Sequence, residues 1–275
     1  MDAQTVTRRY RTVFLSDIHL GTRGCQAELL LDFLRGMECE TLYLVGDIVD
    51  GWRMKAGGFR WPQSHNDVVQ KMLRLARKGA KVIYVPGNHD DRVRDFCGAH
   101  FGGVEVMREA IHVTATGKRY LVIHGDEFDG VVQHAKWLAF LGDWAYRAML
   151  ASNTWLNRAR HALGMDYWSF SAFLKVRVKE ALQFIENFEE AVARAAREHG
   201  VDGVVCGHIH KAEMRLIDGI EYINDGDWVE SCTALVEHMD GRLEILDWPK
   251  IRAQTALKPL RGRAAAAPQP EPALA

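Results

Sequence analysis

Five short runs of branched aliphatic and aromatic residues each stop at a knot of carboxylate, imidazole or amide side chains: VFLSDIHLG, LYLVGDIVDGW, KVIYVPGNHD, YLVIHGDEFD and GVVCGHIHK. The runs lack polar alternation, the pattern of strands buried on both faces. Between the first three lie two stretches of helical spacing, CQAELLLDFLRGM and Gln63 to Lys78. The expected order is therefore strand, helix, strand, helix, strand, which makes βαβ units, a largely parallel sheet and an α/β fold. In an open sheet of that kind binding sites form outside the carboxyl ends of the strands, and all five knots lie there. Further strand candidates follow at AIHVTA, GIEYIN and TALVEHM, joined late in the chain by the turns IDG and MDG. These predict antiparallel pairing toward the C-terminal end.

The strand rhythm breaks between Gly130 and Gly200, where a long helical region opens with Trp137, Phe140, Trp144, Trp155, Tyr167, Trp168, Phe170 and Phe173. Strands resume at Asp202, so residues 130–200 read as a helical insertion within one domain spanning 11–248. Beyond Trp248 the chain is rich in Ala and Pro without periodicity, and residues 249–275 are expected to be a disordered tail.

Lys and Arg number 35 against 36 Asp and Glu, a balance with no footprint for nucleic acid. No apolar run has the length of a membrane span or the placement of a signal peptide, so the cytoplasm is the expected compartment. Cys25, Cys39, Cys97, Cys206 and Cys232 are odd in number and unpaired in spacing, and read as reduced thiols.

Read singly, each knot has an ordinary explanation: Asp at a strand end caps or turns, Gly and Asn accept left-handed backbone, and two nearby histidines can edge a strand. Five knots at equivalent positions do not share that explanation. Asp17, His19, Asp47, Asp50, Asn88, His89, His124, Asp126, His208 and His210 offer carboxylate, amide and imidazole donors. That mixture suits Mn²⁺, Fe²⁺ or Zn²⁺ better than Ca²⁺. Seven or eight donors are too many for one ion. Two ions sharing a carboxylate account for the number, with Asp47 as the natural bridge.

The ordered motifs resemble the calcineurin-like metallophosphoesterases: Asp17-Ile18-His19, Gly46-Asp47-Ile48-Val49-Asp50, Gly87-Asn88-His89-Asp90, His124 and Gly207-His208-Ile209-His210. The resemblance implies a four-layer α/β/β/α sandwich and a two-metal phosphoester hydrolase. Asp17, His19, Asp47 and His210 would hold one ion; Asp47, Asn88, His124 and His208 would hold the other. Manganese is the expected metal, with Fe²⁺ or Zn²⁺ as alternatives. His89 is left as a catalytic residue that contacts the phosphate or protonates the leaving oxygen, oriented by Asp50, while Gly87 lets the backbone turn.

Within the family, Asp17-Ile18-His19-Leu20, His124-Gly125-Asp126 and the helical insertion are similar to the UDP-2,3-diacylglucosamine pyrophosphatases of lipid A synthesis, which release UMP at the inner membrane face. That subfamily commonly carries Arg at the third position of GN-x-D, where this chain has His89. Trp137, Phe140, Leu141, Trp144 and Ala148 fall on one helical face among basic residues, a pattern that fits either a core face or a cap lying on anionic headgroups. The expected partner is thus a phosphoester or nucleotide-lipid substrate, with peripheral association at the inner membrane through the insertion. A phosphodiesterase or phosphoprotein phosphatase of other specificity, and a non-catalytic scaffold of the same fold, remain open.

Overall fold

Two sheets face each other in the computed structural model, which describes residues 7–131 and 170–257. The first is built on β1 (Arg8–Leu15), β2 (Met37–Val45) and β3 (Lys81–Val85), all parallel. Two short strands, β4 (His100–Phe101) and β5 (Val104–Val106), close one edge. The second sheet runs β6 (Ala110–Val113), β7 (Arg119–Val122), β8 (Gly203–Cys206), β10 (Ile220–Asn224), β9 (Glu213–Ile217). The chain then returns to the first sheet, where β11 (Thr233–Glu237) pairs antiparallel with β1, and β12 (Leu243–Asp247) with β11.

Strand periodicity sorts the side chains into layers. Val13, Leu15, Leu42, Leu44 and Val82 point outward onto α1 (Ala27–Arg35) and α3 (Gln63–Arg77), meeting Leu30, Leu34, Val68 and Met72. Their neighbours Phe14, Tyr43, Val45, Ile83 and Val85 point inward, against Tyr120, Val122, Val205 and Ile223 of the second sheet. On the far side Leu121, Val204 and Tyr222 meet Phe188, Val192 and Ala196 of α4 (Phe170–Glu198). The result is a helix, sheet, sheet, helix sandwich. Every central strand is covered twice, which is why its sequence is apolar without alternation. A six-residue helix, α2 (Gly51–Ala56), stands apart with no buried residue.

Two features differ from the sequence expectations. The short strands β4 and β5 and the edge strands β9 and β12 carry too many polar residues to stand out. The segment from residue 249, expected to be disordered, begins inside a helix, α5 (Trp248–Leu257). Its anchor is Trp248, 8% exposed, edge-on to Phe33 at 5.1 Å and donating from Nε1 to Asp32 Oδ2 at 2.9 Å. Arg252 reaches the same carboxylate at 3.3 Å. Composition could not reveal that contact, because its partner lies 216 residues away. Of the insertion, α4 forms the last part. The aromatic face from Trp137 to Ala148 and the tail from residue 258 lie outside the described residues. All five cysteines are free.

Candidate metal centre

The parallel strands of both sheets end at one edge, and the ligand-type residues stand just beyond them: Asp17 and His19 after β1, Asp47 after β2, Asn88 after β3, His124 after β7, His208 and His210 after β8. The backbone there departs from ordinary geometry. Asp17, His19, Asp47, His208 and His210 have φ between 49° and 73°, a left-handed conformation that costs a residue with a Cβ about 1–2 kcal/mol. Only two other non-glycine residues among those described do so, Asp218 and Cys232. Such strain persists where surrounding contacts over-determine it. Here the loops after β1 and β2 are zipped together by Asp17 N–H to Gly46 O at 3.0 Å, His19 N–H to Asp47 O at 2.9 Å and Leu20 N–H to Ile48 O at 2.9 Å.

The carboxylates are tethered through one oxygen and offer the other. Asp17 Oδ2 accepts from His208 N–H at 2.8 Å, leaving Oδ1 3.1 Å from His210 Nε2 and 3.8 Å from His19 Nε2. Asp47 accepts from His89 N–H through Oδ1, which also lies 3.4 Å from His124 Nε2, while Oδ2 faces His19 Nε2 at 3.8 Å. The two oxygens of Asp47 thus look toward two groups of histidines. His124 Nδ1–H donates to Val45 O at 2.9 Å, turning Nε2 into the cluster. A metal-ligating imidazole is commonly fixed in this way.

Four atoms buried in this cluster, Asp17 Oδ1, Asn88 Oδ1, His89 Nδ1 and His124 Nε2, make no hydrogen bond. Buried polar atoms are rarely left so. Their donor chemistry fits a divalent cation. Asp17, His19 and His210 present ligand atoms within 4.8 Å of one another, as do Asp47, His124 and His208. A third such trio, His19, Asp50 and His89, adjoins the first.

The electrostatics agree with a cationic occupant. Burial would raise the Asp17 and Asp47 carboxyls, but His210 beside Asp17 and His124 beside Asp47 outweigh it and hold both well below the usual range. Conversely, burial opposes charge on His124 and His210. The carboxylates prevail, pushing His124 up to about 10, chiefly through Asp47, and His210 up to about 9, chiefly through Asp17.

Motif glycines make room. Gly87 does not adopt a left-handed φ, contrary to the expectation that it lets the chain turn; a Cβ there would lie 2.4 Å from Asp47 Oδ1 and 2.6 Å from the His124 ring. A Cβ on Gly46 would fall 2.2 Å from His124 Nδ1. Asp90 ties the loops together, taking Gly87 N–H at 2.6 Å through Oδ1, and Ile48 N–H at 2.8 Å and the Tyr84 hydroxyl through Oδ2.

Asp50 caps α2 by accepting from Arg53 N–H through Oδ1, while its Oδ2 lies 3.2 Å from His89 Nδ1. Asp126, read from sequence with the fourth knot, turns away from the cluster to pair with Arg94 at 2.6 Å. Sequence reasoning missed three supporting residues. Asn224 donates to Gly207 O at 2.6 Å, Asp225 accepts from Ser16 Oγ at 2.6 Å, and Trp52 lies over His89. The NDGD run at 224–227 was the available signal for the first two.

A family model described as calcineurin-like phosphoesterase matches residues 10–212. Among curated proteins, the chain is similar to UDP-2,3-diacylglucosamine hydrolase of Chromohalobacter salexigens, 27% identical across 79% of this chain and 88% of that one. It is also similar to the protein of that name in Pseudomonas aeruginosa PAO1, 28% identical across 78% and 90%. A solved archaeal phosphodiesterase aligns over 86% of this chain and 98% of its own, with 12% identity and a TM-score of 0.40.

Proposed function

The chain belongs to the calcineurin-like phosphoesterase family, metal-dependent hydrolases of phosphoester or pyrophosphate bonds, and from that premise we propose that it cleaves a nucleotide-lipid pyrophosphate of the UDP-2,3-diacylglucosamine type, releasing UMP, at a centre of two divalent ions. The observation that carries the two-ion reading is the pair of buried ligand groups on either side of Asp47, each with an oxygen of that carboxylate turned toward it. Asp17, His19, Asp47 and His210 would hold one ion, and Asp47, Asn88, His124 and His208 the other. Manganese is the first candidate, and the mixed oxygen and nitrogen donors equally admit Fe²⁺ or Zn²⁺. Bound there, the ions supply Lewis-acid charge for the phosphoryl oxygens and lower the pKa of a coordinated water.

The chain's own residues do the rest. Asp17, Asp47 and the histidines fix the ligand atoms before substrate arrives. His89, with Nδ1 beside Asp50, is placed to donate from Nε2 to the departing oxygen. Its side chain is 19% exposed and that of His210 34%, whereas those of Asp17, Asp47 and His124 are nearly closed off. Substrate therefore approaches from the His89 and His210 side.

The activity of the similar UDP-2,3-diacylglucosamine hydrolases supports the nucleotide-lipid substrate, and His89 in place of the subfamily's Arg favours a second reading, a phosphodiesterase of other specificity. Among the described residues no helix is long and apolar enough to cross a membrane. Attachment to the inner membrane face through the insertion belongs to the proposal. Turnover of UDP-2,3-diacylglucosamine with Mn²⁺, measured beside bis-p-nitrophenyl phosphate, decides between the two readings. Hydrolysis of the second compound alone would remove the nucleotide-lipid assignment, and hydrolysis of neither would leave a scaffold.

Because His124 and His210 are held protonated up to about pH 10 and 9, an ion must displace their protons to bind. Raising the pH from 6 to 8 is expected to tighten metal binding by up to about 10-fold per unit for each proton displaced. Calorimetric titration with Mn²⁺ in buffers of different ionisation enthalpy should register the released protons. A pH-independent affinity without proton release would contradict this assignment.

A further inference from the structure

The turn Asp50-Gly51-Trp52 grips His89 in three separate ways. Asp50 Oδ2 stands 3.2 Å from Nδ1. Gly51 N–H donates to the His89 carbonyl at 2.9 Å, in a space so close that a Cβ on Gly51 would lie 2.7 Å from that oxygen. The Trp52 indole lies nearly parallel to the imidazole, with centroids 3.9 Å apart and planes 28° apart. His19 meets the same ring edge-on at 4.6 Å. Trp52 itself is 44% exposed on α2, a helix without a buried residue. Burial in the core therefore does not explain a large aromatic there.

We infer that Trp52 is a positioning residue for His89: its stacked indole fixes the plane of the imidazole and thereby the direction in which Nε2 points. The inference rests on the hydrolase reading and deepens it. Two constraints are needed because each leaves a different freedom. The Asp50 contact is an ion-pair approach to Nδ1 without a hydrogen bond, and it permits rotation of the ring about the line to Nδ1. A flat indole at van der Waals distance removes that rotation. With both in place Nε2 keeps its position 3.8 Å from Asp47 Oδ2, at the border of the ligand cluster. A proton donor held in a single orientation loses less on reaching the transition state than one that must find it. No side chain of α2 packs in the core, so replacing Trp52 should leave the fold intact.

The test combines kinetics with a direct view of the ring. With bis-p-nitrophenyl phosphate and diphenyl phosphate as substrates, Trp52→Ala is expected to lower kcat about 10-fold or more on the diphenyl ester, whose leaving group needs a proton, and less on the nitrophenyl ester. KM should change little and Trp52→Phe should restore most of the rate. In the double variant with His89→Ala, the loss should not exceed that of His89→Ala alone, because a residue acting through another adds nothing once that other is gone. Independently, the zinc-loaded full chain with labelled histidine should show the His89 imidazole resonance, assigned by its absence in His89→Gln, moving downfield in Trp52→Ala as the ring current is lost. An unmoved resonance would overturn the stacking whatever the turnover. A loss confined to KM, or one that adds fully to His89→Ala, would make Trp52 a substrate contact and overturn the positioning role. Absence of turnover in the unaltered protein would instead sink the hydrolase reading, leaving the resonance to judge the contact.

Discussion

Asp47→Ala is expected to lose hydrolysis altogether and to lower bound metal at both positions, because its two oxygens face two different groups of histidines. Groups that merely hold a ligand in place cost about 10–100-fold in metal affinity when removed, so loss of a shared ligand should exceed that for each ion. Asp17→Ala provides the contrast: its free oxygen serves only the His19 and His210 group, and one ion should be lost in preference to the other. Asp47→Asn keeps the acceptor for His89 N–H and separates loss of charge from loss of loop structure. Metal content in Asp47→Ala equal to that of the unaltered protein would end the bridging assignment.

The second large effect concerns His89. If it donates a proton to the leaving group, His89→Ala should retain its metals and lose about 10²–10⁴ in kcat, equivalent to ~3–5 kcal/mol. The deficit should shrink as the leaving group becomes more acidic, since a p-nitrophenolate departs without a proton and an alkoxide does not. A histidine that only packed the turn would behave differently. Its removal would disturb Asn88, strip metal and slow every substrate alike, so metal analysis with a leaving-group series on one variant distinguishes the two roles.

The strand ends were legible in the sequence because double burial writes itself as an unbroken apolar run and because each knot is local. Asp17-Ile18-His19 and Gly207-His208-Ile209-His210 need no distant information to be seen. What stayed hidden depends on partners that only the fold brings together. Trp52 is separated from His89 by 37 residues, and nothing in DGW by itself announces a stack. Asp90 looked like a turn residue, whereas it receives bonds from Tyr84, Gly87 and Ile48. Gly87 looked like a hinge and is a vacancy for the His124 ring. Asp126 sits beside a motif histidine, yet its charge goes to Arg94. In each case the residue type was noticeable but its partner was set by how β2, β3 and β7 end beside one another.

Anomalous diffraction from crystals grown with Mn²⁺ would locate the ions around Asp47. Two peaks are expected, one on each side of Asp47, the first among Asp17, His19 and His210 and the second among Asn88, His124 and His208, with His89 unligated. A single peak, or an ion held by the neighbouring trio of His19, Asp50 and His89, would contradict that arrangement.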